Sequence, residues 1–344
     1  MRVAITGATG FVGAHTTAAV LAAGHEVRAL VRDRGRLERV VDDLGVDPPD
    51  AVVGAMTDAG AVTELLDGCD AVVHAAAVVS LDRRDATRMR ADNPVGVATV
   101  VGRAAELGLD PIVHVSSTSA LFRPGVGPLH GDLPVAPATD PYARSKAAAE
   151  VEARRIQDEG APVVITYPSG ILGPGAGGAL GATSTALATF VRTGVVPTRE
   201  AALSIVDVRD LAALHVRLLA PGAGTPRVVV GGHLVTMAAL ARALSDLTGR
   251  RFTVLPTPPA VLVGAGRALD AGRRLVPVPG PLTEEGMALI TRWEGTDDST
   301  ATALGLTPRP LLETLEVSLR AWAAAGLVRP SRLGAIADPA PSAP

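Results

Sequence analysis

The 344-residue chain has a single cysteine, Cys69, and few aromatic residues: two tryptophans, two tyrosines and four phenylalanines. One thiol cannot form an internal disulfide, so a reducing compartment is expected and the protein is read as cytoplasmic. Net charge is only -3. That gives no electrostatic reason to expect nucleic acid or an anionic membrane as partner. The opening MRVAIT has neither the basic head nor the long apolar run of a secretory signal. No metal site and no internal repeat is read. No charged residue lies between Glu159 and Arg192, but Pro162, Pro168, Pro174 and many glycines interrupt that stretch. A buried strand followed by a glycine-rich loop is expected there, not a membrane span. Asparagine occurs once, at Asn93, and lysine once, at Lys146, although lysine and arginine together number 32. A residue retained against so strong a compositional trend is a candidate for chemistry that its replacement cannot perform.

What the chain does have is apolar residues, 47% of the total with a mean hydropathy of +0.30, enough for a sizeable core. Apolar bursts predict strands over 2–6, 26–31, 51–53, 71–74, 111–115 and 163–166, with helices over 11–23, 60–66, 93–107 and 142–159 between them. Alternating strand and helix predicts an α/β fold, a Rossmann-like doubly wound parallel sheet whose ligands bind beyond the carboxyl ends of the strands. The expected division is a dinucleotide-binding domain over 1–166, with elements returning near 203–220 and 227–231. A smaller substrate-binding cap takes most of 167–330, with helices over 237–248, 260–275 and 310–325. Strands at 203–206 and 228–230 could both rejoin the main sheet. Residues 334–344 carry no core pattern and are expected to be a disordered tail.

The segment ITGATGFVG follows a strand and opens a helix. Gly7 suits the tight turn, Gly10 a close approach to pyrophosphate, and Gly13 close packing of helix on strand. The helix start offers free N–H groups to phosphates, making Thr9, Phe11 and Val12 further candidate contacts. The second strand ends in VRDRGR, placing Arg32, Arg34 and Arg36 where the adenosine ribose would lie. Guanidinium forks suit phosphate oxygens. With Arg32 and Arg36 as the binding pair, NADP is expected over NAD, and only Asp33 points the other way.

Tyr142 and Lys146 stand four apart in DPYARSKAAAE, a spacing that puts both on one helical face. Asp140-Pro141 reads as the helix start. One lysine placed at random falls four residues after one of two tyrosines with probability 2/344, about 0.6%. An ammonium near a phenol, together with a positive nicotinamide ring, is expected to lower the phenol's pKa, so the pair could pass a proton to a carbonyl or take one from an alcohol. The hydroxyls of Ser116, Ser117, Thr118 and Ser119, after the 111–115 strand, could hold the substrate oxygen.

These residues, with GCDAVVHAAA, DNPVGVATVV, IVHVSSTSALF, ITYPSGILGPG and SIVDVRDLA, resemble the extended branch of the short-chain dehydrogenase/reductase superfamily, the NAD-dependent epimerase/dehydratase family. VRALVRD is most similar to its dihydroflavonol-4-reductase-like and 3β-hydroxysteroid-dehydrogenase-like members. The resemblance implies Tyr142 as acid/base and Lys146 as its partner. Thr118 would be the substrate-binding hydroxyl, with Ser117 the fallback. Ala75, Ala76 and Ala77 would line the cofactor, Asn93 would fix the neighbouring helix and a water, and Pro168 and Ile171 would flank the nicotinamide. Two departures stand out. Ala55 replaces an aspartate that many relatives direct at adenine, leaving Met56 or Asp58 to hold it. Ser119 and Ala120 replace the Asp-Glu pair of sugar dehydratases, which argues against dehydration. The expectation is thus an NADPH-dependent reductase or alcohol dehydrogenase acting on a moderately apolar small molecule. The alternatives are a nucleotide-sugar epimerase with retained NAD and a non-catalytic cofactor-binding sensor. A homodimer through the helices near Asn93 and Tyr142 is a family expectation.

Overall fold

The computed structural model describes residues 1–80, 83–138, 140–222, 224, 226–272 and 283–336. In chain order the strands are β1 (Arg2–Thr6), β2 (Glu26–Val31), β3 (Asp50–Val53), β4 (Ala71–His74), β5 (Ile112–Val115), β6 (Val163–Pro168), β7 (Gly170–Leu172), β8 (Val195–Val196), β9 (Ala202–Asp207), β10 (Arg227–Val230), β11 (His233–Thr236) and β12 (Thr253–Val254). A seven-stranded sheet runs β10-β6-β5-β4-β1-β2-β3, and every pairing in it is parallel. The order reverses between β1 and β4, so the ligand crevice of this doubly wound sheet opens beyond their carboxyl ends. Strands covered on both faces are largely apolar: AVVH of β4 and IVHV of β5 are fully buried and carry one histidine each.

The helices are α1 (Phe11–Ala22), α2 (Arg34–Asp43), α3 (Ala59–Leu66), α4 (Ala86–Val97), α5 (Arg103–Glu106), α6 (Pro141–Asp158), α7 (Ala182–Thr193), α8 (Val208–Arg217), α9 (Met237–Thr248), α10 (Pro259–Gly272), α11 (Glu284–Thr291), α12 (Ser299–Ala303) and α13 (Leu311–Ala324). One sheet face buries Val62, Leu65, Val100, Ala153 and Ile156 from the α3, α4–α5 and α6 side. The other buries Val20, Leu37, Val41, Leu211 and Leu214 from α1, α2 and α8. A third core, with Leu187, Val191, Leu240, Leu244, Leu319 and Trp322, joins α7, α9 and α13 to a three-stranded sheet of order β11-β9-β7.

Several expectations are corrected. β10 rejoins the main sheet beside β6, but β9 does not: its two edges are taken by β7 and β11. The helix expected over 93–107 begins at Ala86 and continues through a widened turn, Ala98–Gly102, into α5. Pro94 lies inside it. The helix α2 had no counterpart in the expectation; it buries Leu37, Val40 and Val41. Residues 334–336 are not part of a disordered tail: Gly334–Ile336 form a 3-10 turn against α9, next to the buried Leu333. The remainder of the expected tail lies outside the described residues, as does the last part of the helix expected over 260–275. Among the described residues no helix is long and apolar enough to cross a membrane.

Candidate active site

Gly7 leaves β1 at φ +79, and a Cβ there would stand 2.7 Å from the Ala76 nitrogen. Both facts require glycine: positive φ is costly for other residues, and Ala75 and Ala76 press against the turn. A Cβ on Gly13 would lie 2.1 Å from the Gly7 carbonyl oxygen, so α1 can approach β1 this closely only without a side chain. Gly10 is the N-cap of α1, extended at φ -97, and supplies no side-chain cap; no acidic residue stands in the first turn. The helix therefore presents uncapped N–H groups beyond β1. This cradle fits the diphosphate of a dinucleotide. Thr9 and Val12 are half-buried beside it. Phe11 is buried; a Cβ on Gly181, the N-cap of α7, would come 3.1 Å from its ring.

At the end of β2, Arg32 and Arg36 are exposed and make no side-chain hydrogen bond among the described residues. The Asp33 carboxylate accepts from the Arg36 N–H at 3.2 Å, capping α2. Asp58 caps α3 in the same way, through Gly60 and Ala61. Met56 is buried, with its sulfur 2.7 Å from where a Cβ on Gly96 would stand. Of the two residues expected at the adenine, Asp58 is thus engaged as a cap and Met56 packs into the core.

The second half of the site hangs on α6. Asp140 accepts from the N–H groups of Tyr142 at 2.9 Å and Ala143 at 3.3 Å, and Pro141 occupies the first turn, as the sequence predicts. Tyr142 and Lys146 then face the carboxyl end of β5. The Ser117 side chain stands close enough to Tyr142 to favour its ionised form, and the Lys146 ammonium donates to the Val115 carbonyl at 3.4 Å. Of the two candidate hydroxyls, Ser117, the fallback, is the one that acts on the phenol. The Thr118 hydroxyl donates to the Pro168 carbonyl at 3.3 Å, because the 3-10 turn Thr118–Ala120 rotates it towards β6. Pro168 ends β6 and Ile171 sits half-buried in β7, beside the α7 N-cap at Gly181. Asn93 is 3% exposed. Its Oδ1 accepts from the Val78 N–H at 2.7 Å, and its amide donates to the Val78 carbonyl at 3.0 Å and the Ser145 hydroxyl at 3.1 Å. It ties the loop after Ala77 to α6.

Burial raises the Tyr142 phenol above its usual pKa, against the opposing hydrogen bond from Ser117. The Asp140 carboxylate adds to that rise, and Tyr142 holds its proton at neutral pH. Burial lowers Lys146 to about 8, with Glu150 opposing the shift. Beneath it lie two groups that sequence reasoning passed over. His74 and His114, paired across β4 and β5, stack with ring centroids 5.4 Å apart. Burial lowers His74 to about 3 and His114 well below its usual value, and Lys146 adds to both shifts. Both rings are neutral. Their signal was present in the sequence, as the last residue of one strand and the penultimate residue of the next.

A parallel sheet of order 3-2-1-4-5-6, a glycine cradle at its reversal, and a tyrosine and lysine one helical turn apart at the end of the fifth strand define a short-chain dehydrogenase/reductase. The sequence profile of the NAD dependent epimerase/dehydratase family matches residues 3–231, and the chain belongs to that family, the extended branch of these enzymes. It is 32% identical to a putative dihydroflavonol 4-reductase of Synechocystis over 265 residues, 74% of this chain and 73% of the relative. It is 30% identical to the UDP-glucose 4-epimerase of Mycolicibacterium smegmatis over 248 residues, 67% of this chain and 77% of the relative. The solved UDP-glucose 4-epimerase of Stenotrophomonas maltophila, with bound NAD, superposes with a TM-score of 0.75 at 19% identity, covering 95% of this chain and 99% of that one.

Proposed function

We propose that the protein is an NADPH-dependent reductase of a carbonyl on a moderately apolar small molecule. The observation that carries this reading is Tyr142 and the buried Lys146 one turn apart on α6, with the ammonium donating to the Val115 carbonyl at the end of β5. When bound, the cofactor supplies the hydride. The chain's own residues do the rest: Ser117 and Tyr142 bind the carbonyl oxygen, Tyr142 gives up its hydroxyl proton, and the Lys146 ammonium steadies the phenolate that remains. NADPH is favoured over NADH because Arg32 and Arg36 are exposed beyond β2 while Asp33 is engaged as a helix cap. An apolar substrate is supported by the aromatic pair next to the 118–120 turn, Phe122 and Trp293, with centroids 5.9 Å apart. Trp293 is held by a 3.0 Å bond to the Ser204 hydroxyl.

A cytoplasmic enzyme is part of this reading, on the strength of the single cysteine. So is a homodimer through α4 and α6, which expose Val95 and Val151. The test is a panel of aldehydes, ketones and nucleotide sugars followed by absorbance of NADPH and NADH. Ketone-dependent oxidation of NADPH is the expected result. Purified protein that releases NAD(H) on denaturation and has no affinity for NADPH would replace the reductase by an epimerase.

A further inference from the structure

The stripe that begins with Tyr142 and Lys146 continues along α6. At the same four-residue interval come Glu150 and Arg154. Glu150 is fully buried. Its Oε2 accepts from the Ser116 hydroxyl at 2.6 Å, and its Oε1 accepts from the Tyr167 hydroxyl at 2.5 Å and from Arg154 Nε at 2.6 Å. Arg154 reaches on to the carbonyls of Leu133 and Gly131. A carboxylate is costly to bury without partners, and here Ser116, Tyr167 and Arg154 supply them.

Two features connect it to the reaction. Ser116 lies between Val115, whose carbonyl receives the Lys146 ammonium, and Ser117, which acts on the Tyr142 phenol. The Glu150–Ser116 bond therefore pins the segment leaving β5 next to both reacting side chains. Second, the ion pair is oriented. Glu150 is one turn from Lys146 and Arg154 is two, so the negative end of the pair faces the ammonium. The other groups facing Lys146 bring no compensating charge: His74 from β4 and His114 from β5 are neutral, and Tyr142 on α6 keeps its proton. Tyr167 from β6, beyond Glu150, is also held protonated, by burial and by Glu150.

We propose that Glu150 is a positioning residue for the Tyr142–Lys146 pair, fixing the Val115–Ser117 segment through Ser116 and supplying the negative charge that keeps the buried Lys146 an ammonium. The assignment rests on the reductase reading for its role in turnover, but the charge coupling can be measured without any substrate. Lys146 is the only lysine, so tag-free protein grown on lysine labelled with 13C at the ε carbon gives one side-chain resonance whose pH titration belongs to it. The native protein titrates at about 8. In Glu150→Gln the midpoint moves down by about one pH unit or more, a tenfold or greater change in proton affinity. In Arg154→Gln, which leaves the carboxylate uncompensated, it moves up. The pH at which turnover changes follows in the same directions, with KM altered much less than kcat.

A midpoint that stays within 0.3 units in both variants would overturn the proposal. Should Glu150→Gln fail to fold, Arg154→Gln alone decides: an upward move supports the coupling and an unmoved midpoint refutes it. Midpoints that move as stated in a protein without reductase activity would sink the reductase reading and leave the coupling standing.

Discussion

Replacing Asn93 with alanine tests the link between the cofactor loop and the catalytic helix. The side chain is 3% exposed and makes three hydrogen bonds, two to the Val78 backbone and one to Ser145. Each such bond contributes about 1 kcal/mol net, and an unsatisfied buried partner costs more. Val78 is half-buried, so water can reach part of the exposed backbone. Ser145 keeps its own 2.8 Å bond to the Tyr142 carbonyl. The sum is a loss of about 2–4 kcal/mol for Asn93→Ala, read as a lower urea midpoint at unchanged slope. Turnover should fall about tenfold or more, because the loop at 75–78 and the first turn of α6 are no longer joined.

Asn93→Asp adds a signature in pH. It keeps the acceptor for the Val78 N–H but sets a buried carboxyl oxygen against the Val78 carbonyl. The new carboxyl is raised above the unfolded value of about 3.9. Its protonated form is the tolerated one, so stability is fullest below pH 4 and is lost as pH rises through the raised folded value. This variant should be closer to the native protein in stability at pH 5 than at pH 8. An Asn93→Ala variant within about 0.5 kcal/mol of the native protein and fully active would refute the reasoning.

Other expectations follow from the same geometry. On the proposed reading, Ser117→Ala should lower kcat by about a hundredfold, and Thr118→Ala by much less, since Ser117 acts on the phenol while Thr118 donates to the Pro168 carbonyl; equal losses would contradict that assignment. Arg32→Asp should invert the preference between NADPH and NADH, measured as the ratio of their kcat/KM values; an unchanged ratio would move the 2′-phosphate site elsewhere. Lys146→Met should abolish activity yet stabilise the fold at pH 7. Burial has lowered the amine from 10.5 to about 8, which corresponds to about 3 kcal/mol. Because the unfolded chain binds the proton more tightly, the native protein gains stability as pH rises from 8 to 10.5, and the advantage of the variant should shrink over that window. Thermal melts at pH 7 and 10 check the sign.

The central sheet was legible because its strands are short, mostly apolar bursts separated by helical patterns, and β1, β2 and β4 match the expected residues. The tyrosine–lysine spacing was legible because a helix places residues four apart on one face. The missed helix α2 had readable signals, Asp33 as a cap and Leu37, Val40 and Val41 at helical spacing, but the arginines drew attention as ligands. The place of β9 was not readable: a short apolar strand does not reveal which edge it will join. The choice between Ser117 and Thr118 depends on the rotation of a single 3-10 turn, which adjacent hydroxyl residues do not encode locally. Glu150 was passed over because one acidic residue on a helix reads as a solvated face. Its meaning comes from Ser116 and Tyr167, which reach it from β5 and β6.

The account stands on the Tyr142 hydroxyl as the group that exchanges the substrate proton. The measurement is single-turnover ketone reduction by Tyr142→Phe, alongside NADPH binding by fluorescence. The predicted result is a rate lowered by about a hundredfold or more, with the NADPH dissociation constant within a few-fold of the native value. A variant that reduces ketone at the native rate would contradict it.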